Sequence, residues 1–167
     1  MLVGIVADTH DNVREVEHAV SIFEDRGVET VVHCGDVVAP PTVGFFDGLD
    51  VHAVLGNNDG ELDGLEAAFR DLSPDSKLHG RFAELTFDGV DLAVLHGEEL
   101  EEVENLAASG EYDFVCHGHH HEAKAQDVEG TTVCNPGALY QAVPEEEHSV
   151  AILNTDEGSI EFVHVSE

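Results

Sequence analysis

Short apolar runs alternate with amphipathic stretches over the first two thirds of the chain. The run "LVGIVAD" is followed by Asn12–Arg26, in which Val13, Val16, Ala19, Val20 and Phe23 recur at helical spacing. This predicts a strand and then a helix. The runs "TVVHCGD", "VHAVLGNND", "DLAVLHG" and "YDFVCHGHHH" come next, with helical patterns at Gly64–Leu72 and Glu98–Ser109 between some of them. Strands separated by helices predict βαβ units and a largely parallel sheet. Beyond Glu122 the pattern changes to short strand-like segments, "AKAQDVEG", "TTVCNPGAL" and "HSVAILNTDEGSIEFVHV", with no helix among them. "NTDEGS", Asn154–Ser159, reads as a hairpin connection. The last strand puts Ile160, Phe162 and His164 on one face and Glu161, Val163 and Val165 on the other. This tail is expected to form antiparallel strands that complete a second sheet. No internal repeat, low-complexity linker or break in composition divides the chain, so one domain over residues 1–167 is expected.

The apolar runs end in side chains that bind metals. Asp8 and His10 follow the first, Asp36 the second, Asn57 the third, His96 the fourth, and His119 and His121 the fifth. Ligands gather at the carboxyl ends of the strands in an open α/β sheet, so five segments distant in sequence can converge on one site. In an extended segment, Asp8 and His10, two residues apart, point to the same side. The same spacing pairs His119 with His121 and turns His120 elsewhere. Each piece alone has an ordinary explanation. Asp-x-His serves as a turn or helix cap, "GD" and "GNND" are turn chemistry, "LHG" fits a core histidine, and a histidine-rich tract fits a solvated loop. Their joint occurrence in this order, each at a strand end, is what points to a site.

Charge narrows the function classes. With 36 acidic and 6 basic residues among 167, the formal net charge is -30, and only Lys77 and Lys124 are lysines. At low ionic strength such self-repulsion opposes compaction, whereas molar salt shortens the Debye length to about 3 Å. The composition fits a halophilic archaeal protein. Stable nucleic-acid binding is disfavoured because it relies on Lys and Arg neutralising phosphates, and an anionic membrane surface is disfavoured for the same reason. There is no positively charged start with a signal-type apolar stretch and no run of roughly 18 apolar residues, so a cytoplasmic, soluble protein is expected. The 42% hydrophobic content suffices for a core. Cys34, Cys116 and Cys134 show no C-x-x-C spacing and read as free, reduced thiols, Cys34 and Cys116 being small buried residues at strand ends. His33 and His117, each shortly before a glycine, read as structural.

Taken together, Asp8-Thr9-His10, Gly35-Asp36, Gly56-Asn57-Asn58-Asp59, His96-Gly97 and Gly118-His119-His120-His121 resemble, in order, the D-x-H, G-D, G-N-x-[DE], lone H and G-H-x-H motifs of the calcineurin-like metallophosphoesterase superfamily. The early "IVADTHDN" and the later "NPGA" at Asn135–Ala138 look most like its small YfcE-like phosphodiesterase branch. The resemblance implies a four-layer αββα sandwich, with two mixed sheets flanked by helices, and a dinuclear metal centre. It puts one ion between Asp8, His10, Asp36 and His121, and the other between Asp36, Asn57, His96 and His119, with Asp36 bridging. Asp59 would orient a neighbouring ligand, and Asn135 would line the substrate side. Such a pair of divalent ions, about 3.5–4 Å apart, activates a shared water and stabilises both the attacking and the leaving oxygens. Carboxylate, imidazole and amide ligands without thiolate suit Mn, Fe, Co, Ni or Zn and do not choose among them; Mn is the expected ion, with Ni, Co, Fe or Zn as alternatives.

The expected activity is hydrolysis of small phosphodiesters by a metal-bridging hydroxide. The catalytic set is then Asp36, Asn57, Asn58, His96 and His120. Many superfamily members carry a histidine where this chain has Asn58, and an amide cannot supply a proton at neutral pH. His120 is the candidate substitute acid, and esters with good leaving groups should turn over faster. A phosphomonoesterase and a non-catalytic binding module resembling a eukaryotic retromer subunit are the alternatives. A homo-oligomer is compatible with the sequence.

Overall fold

The structure, a computed structural model, describes residues 1–166. Strand β1 (Leu2–Val6) leads through a tight loop into helix α1 (Val13–Asp25), then β2 (Thr30–His33), the short helix α2 (Pro40–Val43), β3 (Asp50–Ala53), α3 (Leu62–Leu72) and β4 (Lys77–Leu78). The chain continues with β5 (Phe82–Phe87), β6 (Val90–Leu95), α4 (Leu100–Ala108), β7 (Phe114–Cys116), β8 (Lys124–Val128), β9 (Thr131–Asn135), β10 (Ser149–Asn154) and β11 (Ser159–His164). Two sheets result, ordered β11-β10-β1-β2-β3-β4 and β5-β6-β7-β9-β8. They are parallel through β1-β2-β3-β4 and through β6-β7-β9, and antiparallel outside those stretches.

Three apolar interlayers make the four-layer sandwich. Val16, Ala19, Val20 and Phe23 of α1, with Leu65 and Phe69 of α3, pack on Val31, Val51 and Ile152 of the first sheet. Val3, Ile5 and Leu153 meet Leu92, Val94 and Phe114 between the sheets. Val103 and Ala107 of α4 cover Ala93, Leu95 and Val115. Alternate residues of a strand face opposite layers, which is why β1 and β2 are apolar on both faces. Gly4 is where α1 presses closest, since a Cβ there would lie 2.7 Å from the Phe23 ring.

The three predicted helices appear at their expected places. The two-sheet fold is as the resemblance implied. The tail differs from expectation. Only β8 and β9 join the second sheet, and β9 runs parallel to β7 rather than antiparallel. β10 and β11 instead extend the first sheet, with β10 antiparallel to β1. The reason is burial: residues 149–153 of β10 are all buried, which suits a strand flanked on both edges and covered on both faces. The Asn154–Ser159 hairpin is present, its turn held by Asn154 Oδ1 accepting from the amides of Asp156 and Glu157. On β11, Ile160 faces the inter-sheet layer and Val163 the α1 layer. β5, β4 and α2 have no counterpart in the periodicity reading; β5 is an edge strand whose polar face is exposed.

Candidate metal centre

The loops after β1, β2, β3, β6 and β7 gather at one end of the sandwich. Their backbones are bent, not extended. Among non-glycine residues, Asp8 (φ 51), His10 (φ 42), Asp36 (φ 65), His119 (φ 70) and His121 (φ 59) all lie in the left-handed region. Tight turns, not strand alternation, aim the side chains of Asp8, His10, His119 and His121. Val38, β-branched at φ 85, is the most strained position beside them. Left-handed backbone at non-glycine residues costs of order 1–3 kcal/mol each and persists only where the surroundings impose it.

Five side chains, those of Asp8, His10, Asp36, His96 and His121, face a common space. Ligand atoms of Asp8, His10 and His121 lie within 4.8 Å of one another, and so do those of Asp8, Asp36 and His96. Oδ2 of Asp36 is 3.2 Å from Nε2 of both His10 and His96. Oδ1 of Asp8 is 3.4 Å from His121 Nε2 and 3.7 Å from Nε2 of both His10 and His96. Asp8 thus approaches both histidine groups, whereas the resemblance assigned it to one. Asn57 Oδ1 and His119 Nδ1, 3.2 Å apart, lie at the exposed rim, and the His119 ring packs edge-on against His96 at 5.1 Å. Asp8 Oδ1, His10 Nε2 and His96 Nε2 are buried and make no hydrogen bond. Buried polar atoms are nearly always satisfied, so three orphans aimed at one point mark a place for a cation. The set offers carboxylate oxygen and imidazole nitrogen with no sulfur, because Cys34, Cys116 and Cys134 are buried in the inter-sheet core. Burial pushes the Cys134 thiol to about 12. Divalent ions of borderline type fit this donor set.

A surrounding layer orients several of these side chains. His96 Nδ1 donates to Cys34 O at 2.8 Å, which leaves the Nε2 lone pair for the centre. Asp8 Oδ2 accepts from His119 N at 2.9 Å, freeing Oδ1. Asn58 donates twice to Asp36, from its backbone N to Oδ1 and from Nδ2 to Oδ2, both at 2.9 Å. Asp59 accepts from the backbone N of Asp36, Val38 and Gly56 at 2.7–2.9 Å, tying the two loops together. Asn135, at the same sheet edge because β9 is parallel to β7, is buried and donates to Gly118 O. His120 Nε2 lies 3.0 Å from Gly97 O, and its ring packs edge-on against that of His119. Gly118 permits the close approach of the histidine loop, since a Cβ there would lie 2.7 Å from Asp8 Oδ2.

Protonation follows from this crowding. Burial pulls the His10 imidazole down, but the Asp36 and Asp8 carboxylates outweigh it and lift the group to about 9. His96 moves in the same direction against its own burial. Burial pushes Asp36 up, yet His10, His96 and Asn58 hold it well below the usual carboxylate range. His33 is the opposite case. Burial drops it to about 4, Gly35 N donates to its Nδ1, and Nε2–H is left to donate to Thr9 Oγ1, so it is a neutral brace as expected.

Two features escaped the sequence reading. Tyr140 stacks on His10 with ring centroids 3.9 Å apart and an interplanar angle of 27°, and meets His121 edge-on at 5.6 Å. Its loop is pinned to the site by Leu139 N donating to Asp8 O and by Asn12 Nδ2 donating to Leu139 O. Behind it lies a buried cluster in which His148 Nδ1 is 2.7 Å from Glu15 Oε2, and its Nε2 is 2.9 and 3.1 Å from the carbonyls of Val143 and Tyr140. Ser166 also donates to Glu15.

Residues 1–158 match the family described as the calcineurin-like phosphoesterase superfamily domain. The chain is 36% identical over 139 residues to a protein of Methanocaldococcus jannaschii named a phosphodiesterase, covering 82% of this chain and 83% of that one. Among solved structures, an archaeal phosphodiesterase aligns with TM-score 0.89 at 32% identity over 98% of this chain and 99% of its own. The E. coli phosphoesterase YfcE aligns with TM-score 0.72 at 21% identity over 99% of this chain and 100% of its own, a likeness of fold.

Proposed function

The chain belongs to the calcineurin-like phosphoesterase superfamily, and is by that membership a phosphoric ester hydrolase; from this premise we propose that it is a metal-dependent phosphodiesterase acting on small diesters. The observation that carries the reading is the convergence of three unpartnered buried atoms, Asp8 Oδ1, His10 Nε2 and His96 Nε2, around Asp36 Oδ2. Two divalent ions, when bound, supply an acidified water as nucleophile and positive charge for the phosphoryl oxygens. Asp8, His10, Asp36 and His121 would hold one and Asp36, Asn57, His96 and His119 the other. Manganese is the ion proposed, although the donor set itself suits Fe, Co, Ni or Zn equally. Asn58 and Asp59 fix the Asp36 carboxylate and backbone, while Asn135 braces the loop of His119–His121.

The second half of the reaction favours good leaving groups. Asn58 cannot give a proton and its amide is engaged by Asp36, while His120 Nε2 is engaged by Gly97 O. Aryl diesters should therefore turn over faster than alkyl diesters. The working environment is a salty cytoplasm, supported by the charge of -30. Folding stability should rise between about 0.1 M and molar KCl, as the Debye length falls from about 10 to 3 Å; a flat or falling melting temperature would refute the halophilic assignment.

The test is hydrolysis of bis-p-nitrophenyl phosphate by metal-stripped protein in molar KCl, titrated with Mn²⁺ and then Ni²⁺, Co²⁺, Fe²⁺ and Zn²⁺. Activity appearing only with metal and absent in His121→Ala supports the reading. Cleavage of p-nitrophenyl phosphate alone would make it a monoesterase, and cleavage of neither by folded, metal-loaded protein would leave a binding module.

A further inference from the structure

A cavity of about 340 Å³ lies on the α4 side of the second sheet, beside the histidine loop. Val103 of α4, Val128 of β8 and Val133 of β9 give it apolar walls, and Lys124 and Gln126 stand on its β8 side. Gln126 and Val133 are direct partners in the β8–β9 pairing, so both belong to one rigid surface. His117, His120 and Asn135 line the cavity on the side of the histidine loop. The neighbours of His120 in sequence are the ligand candidates His119 and His121, and its ring packs edge-on against His119 at 5.1 Å. The cavity therefore begins one side chain away from the place where a phosphate would lie.

Resting on the phosphodiesterase reading, we propose that this cavity receives one esterified organic group of the substrate, a flat, uncharged ring of nucleobase type. Its volume falls within the range of small-molecule sites, which combine apolar walls with a few polar groups that fix orientation. The valines offer faces on which a ring can lie, and Gln126 offers both a donor and an acceptor to its edge. Charge sets the class further. Glu104 and Glu122 line the cavity against the single cation Lys124. A second phosphate would be repelled, so the substrate carries one phosphodiester and a neutral ring rather than a polyphosphate or an oligonucleotide.

The experiment compares thymidine 5′-(p-nitrophenyl phosphate) with methyl p-nitrophenyl phosphate, using Mn²⁺-loaded wild type, Val133→Phe and Gln126→Trp. Gln126 is exposed on an edge strand, so its variant is expected to fold even if Val133→Phe does not. The expected result is a fall of at least about tenfold in kcat/KM for the thymidine ester, mainly through KM, with the methyl ester and Mn²⁺ binding unchanged. An equal fall for both esters with Mn²⁺ binding unchanged would put the shared nitrophenyl ring in the cavity and overturn the nucleobase assignment. Unchanged rates for both esters, or a fall that tracks lost Mn²⁺, would overturn the proposal outright. If wild type cleaves neither ester, the phosphodiesterase reading has failed; thymidine binding by calorimetry, weakened by Gln126→Trp, would then still support the subsite, and its absence from wild type would remove it.

Discussion

Two buried groups of histidines and carboxylates lie on either side of Tyr140, and they differ in one respect. At the candidate metal centre Asp8 Oδ1, His10 Nε2 and His96 Nε2 have no hydrogen-bond partner among the described residues. In the cluster behind it, both oxygens of Glu15 and both ring nitrogens of His148 are engaged, by His18, Ser166, and the carbonyls of Tyr140 and Val143 as well as by each other. The residue types are the same. Closure separates them: a satisfied cluster stabilises the fold, whereas one left open at its centre is built for something that arrives later. The two are also joined, because the closed cluster holds the Tyr140 backbone and the Tyr140 ring lies on His10.

The comparison breaks most sharply at Asp36. Asp36→Asn should lower kcat/KM by on the order of 10³-fold and reduce bound metal, since the residue lies against both histidine groups. Normal rate with normal metal content would remove it from the centre. Next is His148→Ala, which removes the buried partner of Glu15, leaving only His18 and Ser166, and should cost about 1–3 kcal/mol in urea unfolding. Metal affinity of the folded protein should change far less than in Asp36→Asn; the reverse pattern would show that the two clusters had been assigned the wrong way round.

The pH dependence sharpens the contrast, because His10 of the one cluster and Glu15 of the other respond with opposite sign. His10 is raised to about 9, so the stability it lends the metal-free protein is complete below about 6.5 and lost as pH rises through 9. Metal requires the neutral imidazole, so Mn²⁺ affinity should rise about tenfold per pH unit over that window with release of one proton, measurable by calorimetry in buffers of different ionisation enthalpy. For Glu15, burial pushes the carboxyl up, but Ser166 and His148 bring it below its ordinary value of 4.5. Its contribution is present above 4.5 and is lost as pH falls below that. A metal-free protein whose stability is flat from 6.5 to 9 would contradict the His10 assignment. The smallest effect is at Tyr140. Tyr140→Ala should weaken metal binding about tenfold, the range seen for groups that orient a ligand. Tyr140→Phe, which keeps the stack, should restore it; Co²⁺ absorption spectra would report both.

How much of this was legible beforehand varies by element. The ligand candidates could be read because each loop carries its own chemistry within a few residues of an apolar run, and because parallel strands deliver their carboxyl ends to one edge. Their aim could not be read from alternation, since left-handed turns at Asp8, His10, His119 and His121 set it. Glu15 was invisible as a partner of His148, as was Ser166, because these contacts cross 133 and 151 residues of sequence. Tyr140 looked like an ordinary residue after "NPGAL" until the loop was folded against His10.

The sequence by itself therefore determined the strands β1, β2, β3, β6 and β7 and the helices α1, α3 and α4, the acidic character and the set of chemically capable side chains, because these depend on local periodicity and composition. Tertiary structure alone decided which sheet the tail strands joined, which buried carboxylate was closed and which left open, and where the cavity beside His120 lies. Strand pairing and the satisfaction of buried polar atoms depend on what comes within about 3 Å in space, and neighbours along the chain do not specify it.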